Sequence, residues 1–220
     1  MTLRLTKRTL LIAGRQMTVE LPASQDELLE EAIREENSGL SNGDPYWGSL
    51  WETAPRTAAM ILQHAWPSHL QVLELGCGIG VVGIAGLMAG HAVTFSDHAS
   101  AAVKLAMSNA ALNGFTDAAG VVFDWHQPPT TDQYDLIVAS DILYETSSHK
   151  PLLDTIQVML AEHGMVCIGE SGRANAENFL EIAEKHGWVI ETFNESSQPF
   201  QQPQHLQFRM YVLRQMPRRA

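Results

Sequence analysis

Cysteine is scarce: Cys77 and Cys167 are the two thiols in 220 residues. One falls in a glycine-rich turn and the other in an apolar stretch that reads as a buried strand. No disulfide framework is expected, and a reducing, cytoplasmic setting is. Long apolar runs are missing. None approaches the ~20 residues needed to cross a bilayer, and Leu10 to Ala13 is too short for the core of an export signal. No membrane partner is expected. Positive charge is thin, with 14 Lys and Arg against 25 Asp and Glu and a formal net charge of −11. A non-specific nucleic-acid binder needs a basic surface, so that class is excluded. Nine histidines are scattered without clustered Cys/His spacing, and no metal site is expected. Internal repeats are absent.

What the chain does have is the stretch Gln71 to Gly80, QVLELGCGIG. Val72, Leu73 and Leu75 read as a short buried strand, and Gly76, Gly78 and Gly80 follow. The apolar run from Val81 to Gly90 then reads as a helix. A strand that turns on glycine into a helix gathers free backbone N–H groups and allows close backbone approach. Such a turn binds a nucleotide at the carboxyl edge of an α/β sheet. Gly78, Gly80 and Gly83 also satisfy G-x-G-x-x-G, the dinucleotide spacing. That register would draw Gly76 and Cys77 into the strand, whereas E-x-G-x-G-x-G from Glu74 lets the strand end at Leu75.

Upstream, residues 2–21 read as a hairpin turning near Gly14, and Ser24 to Glu27 as a capping box opening a helix to about Glu36. Residues 37–45 read as a loop. Tyr46, Trp47 and Trp51 precede a helix that packs through Ala58, Ile61 and Leu62. They are either a hydrophobic clamp on the sheet edge or a lid over the cofactor. Downstream, the second strand, His91 to Asp97, ends in an acid about twenty residues past the glycines, where nucleotide-binding folds place a ribose acceptor. Helix Ser100–Asn113 and strand Ala119–Phe123 lead to Asp124-Trp125. Strand Tyr134–Ser140 is almost continuously apolar, as a sheet centre should be. It runs into Asp141-Ile-Leu-Tyr144, at the strand end where open α/β sheets do chemistry. Helix His149–Leu160, strand Met165–Glu170, helix Asn175–His186, strand Trp188–Phe193, a loop over 196–204 and strand Leu206–Leu213 complete the chain. Residues 216–220 read as a basic tail.

The E-x-G-x-G-x-G turn resembles motif I of the class I, S-adenosylmethionine-dependent methyltransferases. Together with LWETA around Trp51, Asp124-Trp125 and D-x-x-Y at Asp141–Tyr144, it resembles the seven-β-strand methyltransferases that modify lysine on non-histone proteins. The resemblance covers residue 45 onward. It implies an α/β fold, a doubly wound Rossmann-like sheet of seven strands with the last antiparallel, preceded by an N-terminal hairpin and helix. Residues 1–44 are then an extension and 45–220 the methyltransferase domain. The implied cofactor is S-adenosyl-L-methionine. Trp51, Glu74, Gly76, Cys77, Gly78 and Gly80 would line its pocket, with Asp97 on the ribose. Asp124 and Trp125 would hold the adenine, and Ser140 would lie beside the methionine end. Asp141 and Tyr144 would face the acceptor, expected to be a lysine of a protein partner.

Ser140 stands where the family often has a small apolar residue, and His126 follows the Asp-Trp pair. Neither change should abolish cofactor binding, but both leave the acceptor open, since close relatives methylate histidine or small amines. A small-molecule N-methyltransferase is one alternative, and a catalytically silent binding module, against which the intact glycines, Asp97 and D-x-x-Y argue, is another. A carboxylate stabilises an ammonium. Asp141 is accordingly expected to bind and orient the acceptor rather than deprotonate it, with Tyr144 fixing the amine lone pair or walling the pocket.

Overall fold

The computed structural model describes residues 3–38, 45–129, 132–200 and 204–215. Most of the expected loop over 37–45, residues 201–203 of the later loop and the tail over 216–220 lie outside the described residues. β1 (Leu5–Ile12) and β2 (Arg15–Pro22) form an antiparallel hairpin. α1 (Gln25–Ser38) follows, with Ser24 Oγ accepting from the Glu27 N–H at 3.3 Å, one half of the expected capping box.

A seven-stranded sheet makes up the rest, in the order β5-β4-β3-β6-β7-β9-β8. Its strands are β3 (Gln71–Leu75), β4 (Ala92–Asp97), β5 (Ala119–Val122), β6 (Tyr134–Ser140), β7 (Leu160–Glu170), β8 (Trp188–Phe193) and β9 (Arg209–Gln215). β3 to β7 pair in parallel, and β9 inserts antiparallel between β7 and β8. The expected doubly wound sheet with an antiparallel last strand is what forms. In the seven-stranded sheet, two strand starts differ from the sequence reading by more than one residue. β7 begins five residues early because its start pairs with Tyr134 across a register irregularity. The last strand starts at Arg209 because Leu206 is held in a turn, its N–H donating to Gly172 O at 3.0 Å.

Helices cover both faces, so the strands are apolar at nearly every position. On one face Val72, Leu136, Val138, Cys167 and Met210 pack with α2 (Thr53–Gln63), α3 (Val81–Met88) and α4 (Ser100–Leu112). The hairpin residues Met17, Val19 and Leu21 belong to this same core. On the other, Leu73, Ile137, Ile168 and Tyr211 pack with α5 (His149–Met159) and α6 (Asn175–Lys185). A Cβ on Gly169 would collide with Thr57 Oγ1, so the glycine is what lets α2 sit down on β7.

Two asparagines dock the hairpin on α4. Asn109, fully buried, accepts from Glu20 N (2.7 Å) and donates to Glu20 O and Ile79 O (both 2.9 Å). Asn113 accepts from Thr18 N (2.9 Å) and donates to Thr18 O (2.7 Å). Each amide reproduces a strand neighbour, pairing backbone groups that β2 would otherwise leave unmatched at its edge.

Candidate active site

Chain order runs β3, β4, β5 outward and then crosses back to β6 on the other side of β3. At that switch point the loops after adjacent strands diverge and leave a crevice at the strand carboxyl ends. A cavity of about 430 Å³ opens there, within the range of small-molecule sites.

The glycine turn forms its floor. Gly76 (φ +62°) and Gly78 (φ +50°) take left-handed backbone conformations, which cost a residue with a Cβ. Space forbids a side chain as well: a Cβ at Gly78 would lie 2.8 Å from Trp47 O, and one at Gly76 would lie 2.8 Å from Ile142 Cγ2. Gly80, also left-handed, caps α3 and faces α4, where a Cβ would meet Ala106 at 2.8 Å. It shapes the turn without lining the cavity.

Glu74 is buried beneath the turn, its Oε2 accepting from Gly83 N at 2.9 Å. Burial pushes its carboxyl up to about 8, against the pull of the Gly83 and Val82 amides. Cys77, buried in the cavity wall, has its thiol pushed well up by burial and by the charges of Asp97 and Glu74. Such a thiol is inert rather than nucleophilic.

Asp97 ends β4 at the cavity wall. Gly78 N donates to its Oδ2 (3.1 Å) and Ala99 N to its Oδ1 (3.0 Å). His98 Nδ1 lies 3.3 Å from the same Oδ1. Trp125, half-buried, lines the cavity near Gly76, and its carbonyl accepts from Thr155 Oγ1 on α5 at 2.9 Å. Asp124 points elsewhere: its exposed carboxylate accepts from His126 N (2.8 Å), and His126 Nδ1 lies 2.7 Å away. The His126 amide is the main cause holding the Asp124 carboxyl below the usual range. Asp124 is not among the residues lining the cavity.

The aromatic turn closes one side. A 3-10 turn over Pro45–Gly48 carries Tyr46 and Trp47, and Trp51 follows just before α2. Trp51 donates through Nε1 to Tyr46 O (3.3 Å), and its ring lies 6.2 Å from that of Tyr46. A Cβ at Gly48 would strike Leu28 and Pro22, so β2 and α1 seat this turn.

Across the cavity, Ser140 ends β6, with its Oγ 3.4 Å from Thr57 Oγ1. Asp141 follows with φ +58°, an uncommon conformation that Asp tolerates better than most residues. Its N–H donates to Gly169 O at 2.9 Å, and its side chain is buried. Tyr144 is half exposed at the rim, its carbonyl accepting from Asn175 Nδ2 at 2.9 Å. Behind the loop, buried His149 holds Leu143 O with Nε2 (3.2 Å). A carbonyl only accepts, so Nε2 carries the hydrogen, and Nδ1 accepts from Asn178 Nδ2 at 3.1 Å.

The structure therefore gathers Trp51, Glu74, Gly76, Cys77, Gly78, Asp97, Trp125, Ser140, Asp141 and Tyr144 around one cavity, and leaves Gly80 and Asp124 outside its lining. The sequence reading missed Arg173, which also lines it. Arg173 Nη1 lies 2.7 Å from Asp141 Oδ1 and 3.3 Å from Glu170 Oε1. No motif marks it.

Sheet order and glycine turn together define the class of S-adenosylmethionine-dependent methyltransferase folds. Solved structures agree. A TehB-like SAM-dependent methyltransferase from Corynebacterium glutamicum superposes with a TM-score of 0.59 at 23% identity, over 88% of this chain and 100% of that one. The N-methyltransferase NodS from Bradyrhizobium japonicum, in complex with S-adenosyl-L-homocysteine, gives 0.60 at 20% identity, over 84% and 97%. The lysine methyltransferase family model matches residues 33–186, and the chain belongs to that family. Curated relatives include the electron transfer flavoprotein beta subunit lysine methyltransferase of Danio rerio, 30% identical over 61% of this chain and 53% of that protein. The histidine protein methyltransferase 1 homolog of Dictyostelium discoideum is 35% identical over 44% of this chain and 33% of that protein. The chain spans about half or less of the length of these relatives.

Proposed function

We propose that the chain transfers a methyl group from S-adenosylmethionine to a nitrogen of a protein side chain, with lysine as the acceptor. The observation that carries the reading is the opening of one cavity between the glycine turn and the Asp141–Tyr144 loop. The residues present fit the cofactor. Gly76 and Gly78 line the cavity with bare backbone, packed too closely on Ile142 and Trp47 to admit a Cβ, and Asp97 is a buried carboxylate suited to ribose hydroxyls. The Trp125 ring offers an apolar wall for a purine. When bound, S-adenosylmethionine supplies an electrophilic methyl group on a positively charged sulfur.

Alignment and exclusion of water are then the work of the protein. A lysine has a pKa of about 10.4, so reaching the free amine at pH 7 costs roughly 5 kcal/mol. Asp141 favours the ammonium and so acts as its seat, while the aromatic rim of Tyr46, Trp51 and Tyr144 covers it. Tyr144 walls the pocket and offers its hydroxyl to the amine lone pair. The names of the relatives support a protein acceptor, and that of the Dictyostelium discoideum protein keeps histidine as a second reading. The two buried free thiols, Cys77 and Cys167, fit a reducing cytoplasm.

The test is methyl transfer from labelled cofactor to lysate of cells lacking this protein. A discrete labelled band is expected, with label on lysine by mass spectrometry. Asp141→Asn should lower turnover roughly hundredfold and leave calorimetric cofactor affinity nearly unchanged. Label confined to small molecules would overturn the reading, and label on histidine would replace the acceptor.

A further inference from the structure

The seat assigned to the acceptor's ammonium already holds a cation of this chain. Arg173 Nη1 bridges Asp141 Oδ1 and Glu170 Oε1, and its guanidinium carbon lies 6.0 Å from the centre of the Trp51 ring. Two carboxylates share one positive charge. Glu170 is fully buried, and its oxygens are treated unequally. Oε1 accepts from Ser171 Oγ (3.1 Å), from Arg173 N (3.3 Å) and from Nη1. Oε2 is buried with no hydrogen-bond partner among the described residues. An unpartnered carboxylate oxygen is costly to bury and calls for a second arrangement that satisfies it. β9 does not supply the partner, although Arg209 lies opposite Glu170. Arg209 spends Nε on Gln207 O and Nη2 on Gln204 O. Tyr211, also on β9, feels the Glu170 charge but does not hydrogen-bond to Oε2.

Resting on the lysine reading, we propose that Arg173 is a positioning residue: it occupies Asp141 until the acceptor's ammonium arrives, then turns wholly onto Glu170. A guanidinium presents a planar fork that binds a carboxylate through two parallel bonds. Turning onto Glu170 engages Oε2 and offsets the bond surrendered at Asp141. The charges then balance, with the ammonium on Asp141 and the guanidinium on Glu170. The retained guanidinium has a second effect. A like charge beside the ammonium favours its deprotonation, countering the opposite pull of Asp141. Without Arg173 the acceptor binds more tightly as a cation and gives up its proton less readily.

The probe is n-butylammonium, a lysine side chain without its backbone, titrated by NMR into wild type, Arg173→Gln, Arg173→Lys and Arg173→Gln/Asp141→Asn. Arg173→Gln should bind it about tenfold more tightly. Arg173→Lys, which keeps a cation, should stay near wild type, and the double variant should lose the gain. In methyl-transfer assays on a lysine substrate, Arg173→Gln should lower KM. It should also displace the kcat profile about one unit to higher pH, with Arg173→Lys restoring the profile. A merely structural arginine would lower kcat equally at every pH. Unchanged or weaker butylammonium binding in Arg173→Gln overturns the proposal, and does so even where lysine methylation is clear. The affinity gain without any lysine methylation supports the shared seat and overturns the lysine acceptor.

Discussion

Replacing Glu74 with glutamine should stabilise the fold, and the gain should grow with pH. Glu74 is 3% exposed on the α3 side of β3. Burial raises its carboxyl from an ordinary 4.5 to about 8, and the neighbouring charge of Asp97 adds to the rise. Both states hold the proton below about pH 4.5, where the group costs nothing. Above that, the unfolded chain releases the proton while the folded chain keeps it, so stability falls as pH rises toward 8. At pH 7 the gap is about 2.5 pK units, or roughly 3 kcal/mol at 1.36 kcal/mol per unit. Glutamine is neutral in both states, lacks this dependence, and keeps an oxygen for the Gly83 N–H. Urea midpoints of wild type and Glu74→Gln at pH 5, 7 and 8.5 test it, the slope of the difference with pH being the measured quantity. The amide's own fit in the site adds a constant and leaves the slope untouched. A difference that stays flat from pH 5 to 8.5 refutes the reasoning.

Four further substitutions probe the site and its supports. Asn109→Ala leaves the backbone of Glu20 and the carbonyl of Ile79 without their partner and should cost about 3 kcal/mol in urea unfolding. Gly169→Ala drives a Cβ into Thr57 and should cost about 3 kcal/mol. Thr57→Ala in the same chain should recover part of that loss, since it removes the colliding hydroxyl. Asp97→Asn turns an N–H toward the amide of Gly78 or Ala99. It should weaken S-adenosylmethionine by at least about tenfold in calorimetry, a charge-assisted bond's worth.

What the sequence made legible was the chemistry that is local. The glycine turn, the acid ending β4 and the Asp141–Tyr144 loop each sit within a few residues of a strand end. Strand order then carries them to one crevice. Apolar strands and glycine-punctuated helices announced the doubly wound sheet for the same reason. Periodicity says nothing, however, about which way a turn residue faces. Gly80 shares the glycine spacing but packs on Ala106, and Asp124 closes its own turn with His126. The hairpin was legible as a hairpin, yet not as part of the core. Asn109 and Asn113 read as polar residues on a helix, and their partners lie 89 and 95 residues upstream.

Arg173 is the clearest case of information held by topology rather than by motif. It sits in an unremarkable stretch after β7, 32 residues beyond Asp141. Parallel pairing of β6 with β7 brings the ends of the two strands side by side, Ser140 opposite Gly169. The acids that follow, Asp141 and Glu170, therefore emerge as neighbours at the cavity. Burial and the neighbouring charge of Asp141 push the Glu170 carboxyl up, and the pair of acids calls for a cation in reach of Asp141. The turn after β7 supplies it at 2.7 Å. A pairing of strands thus sets the charge of the site, because it decides that the acid named by the motif arrives beside a second acid and shares its counter-ion.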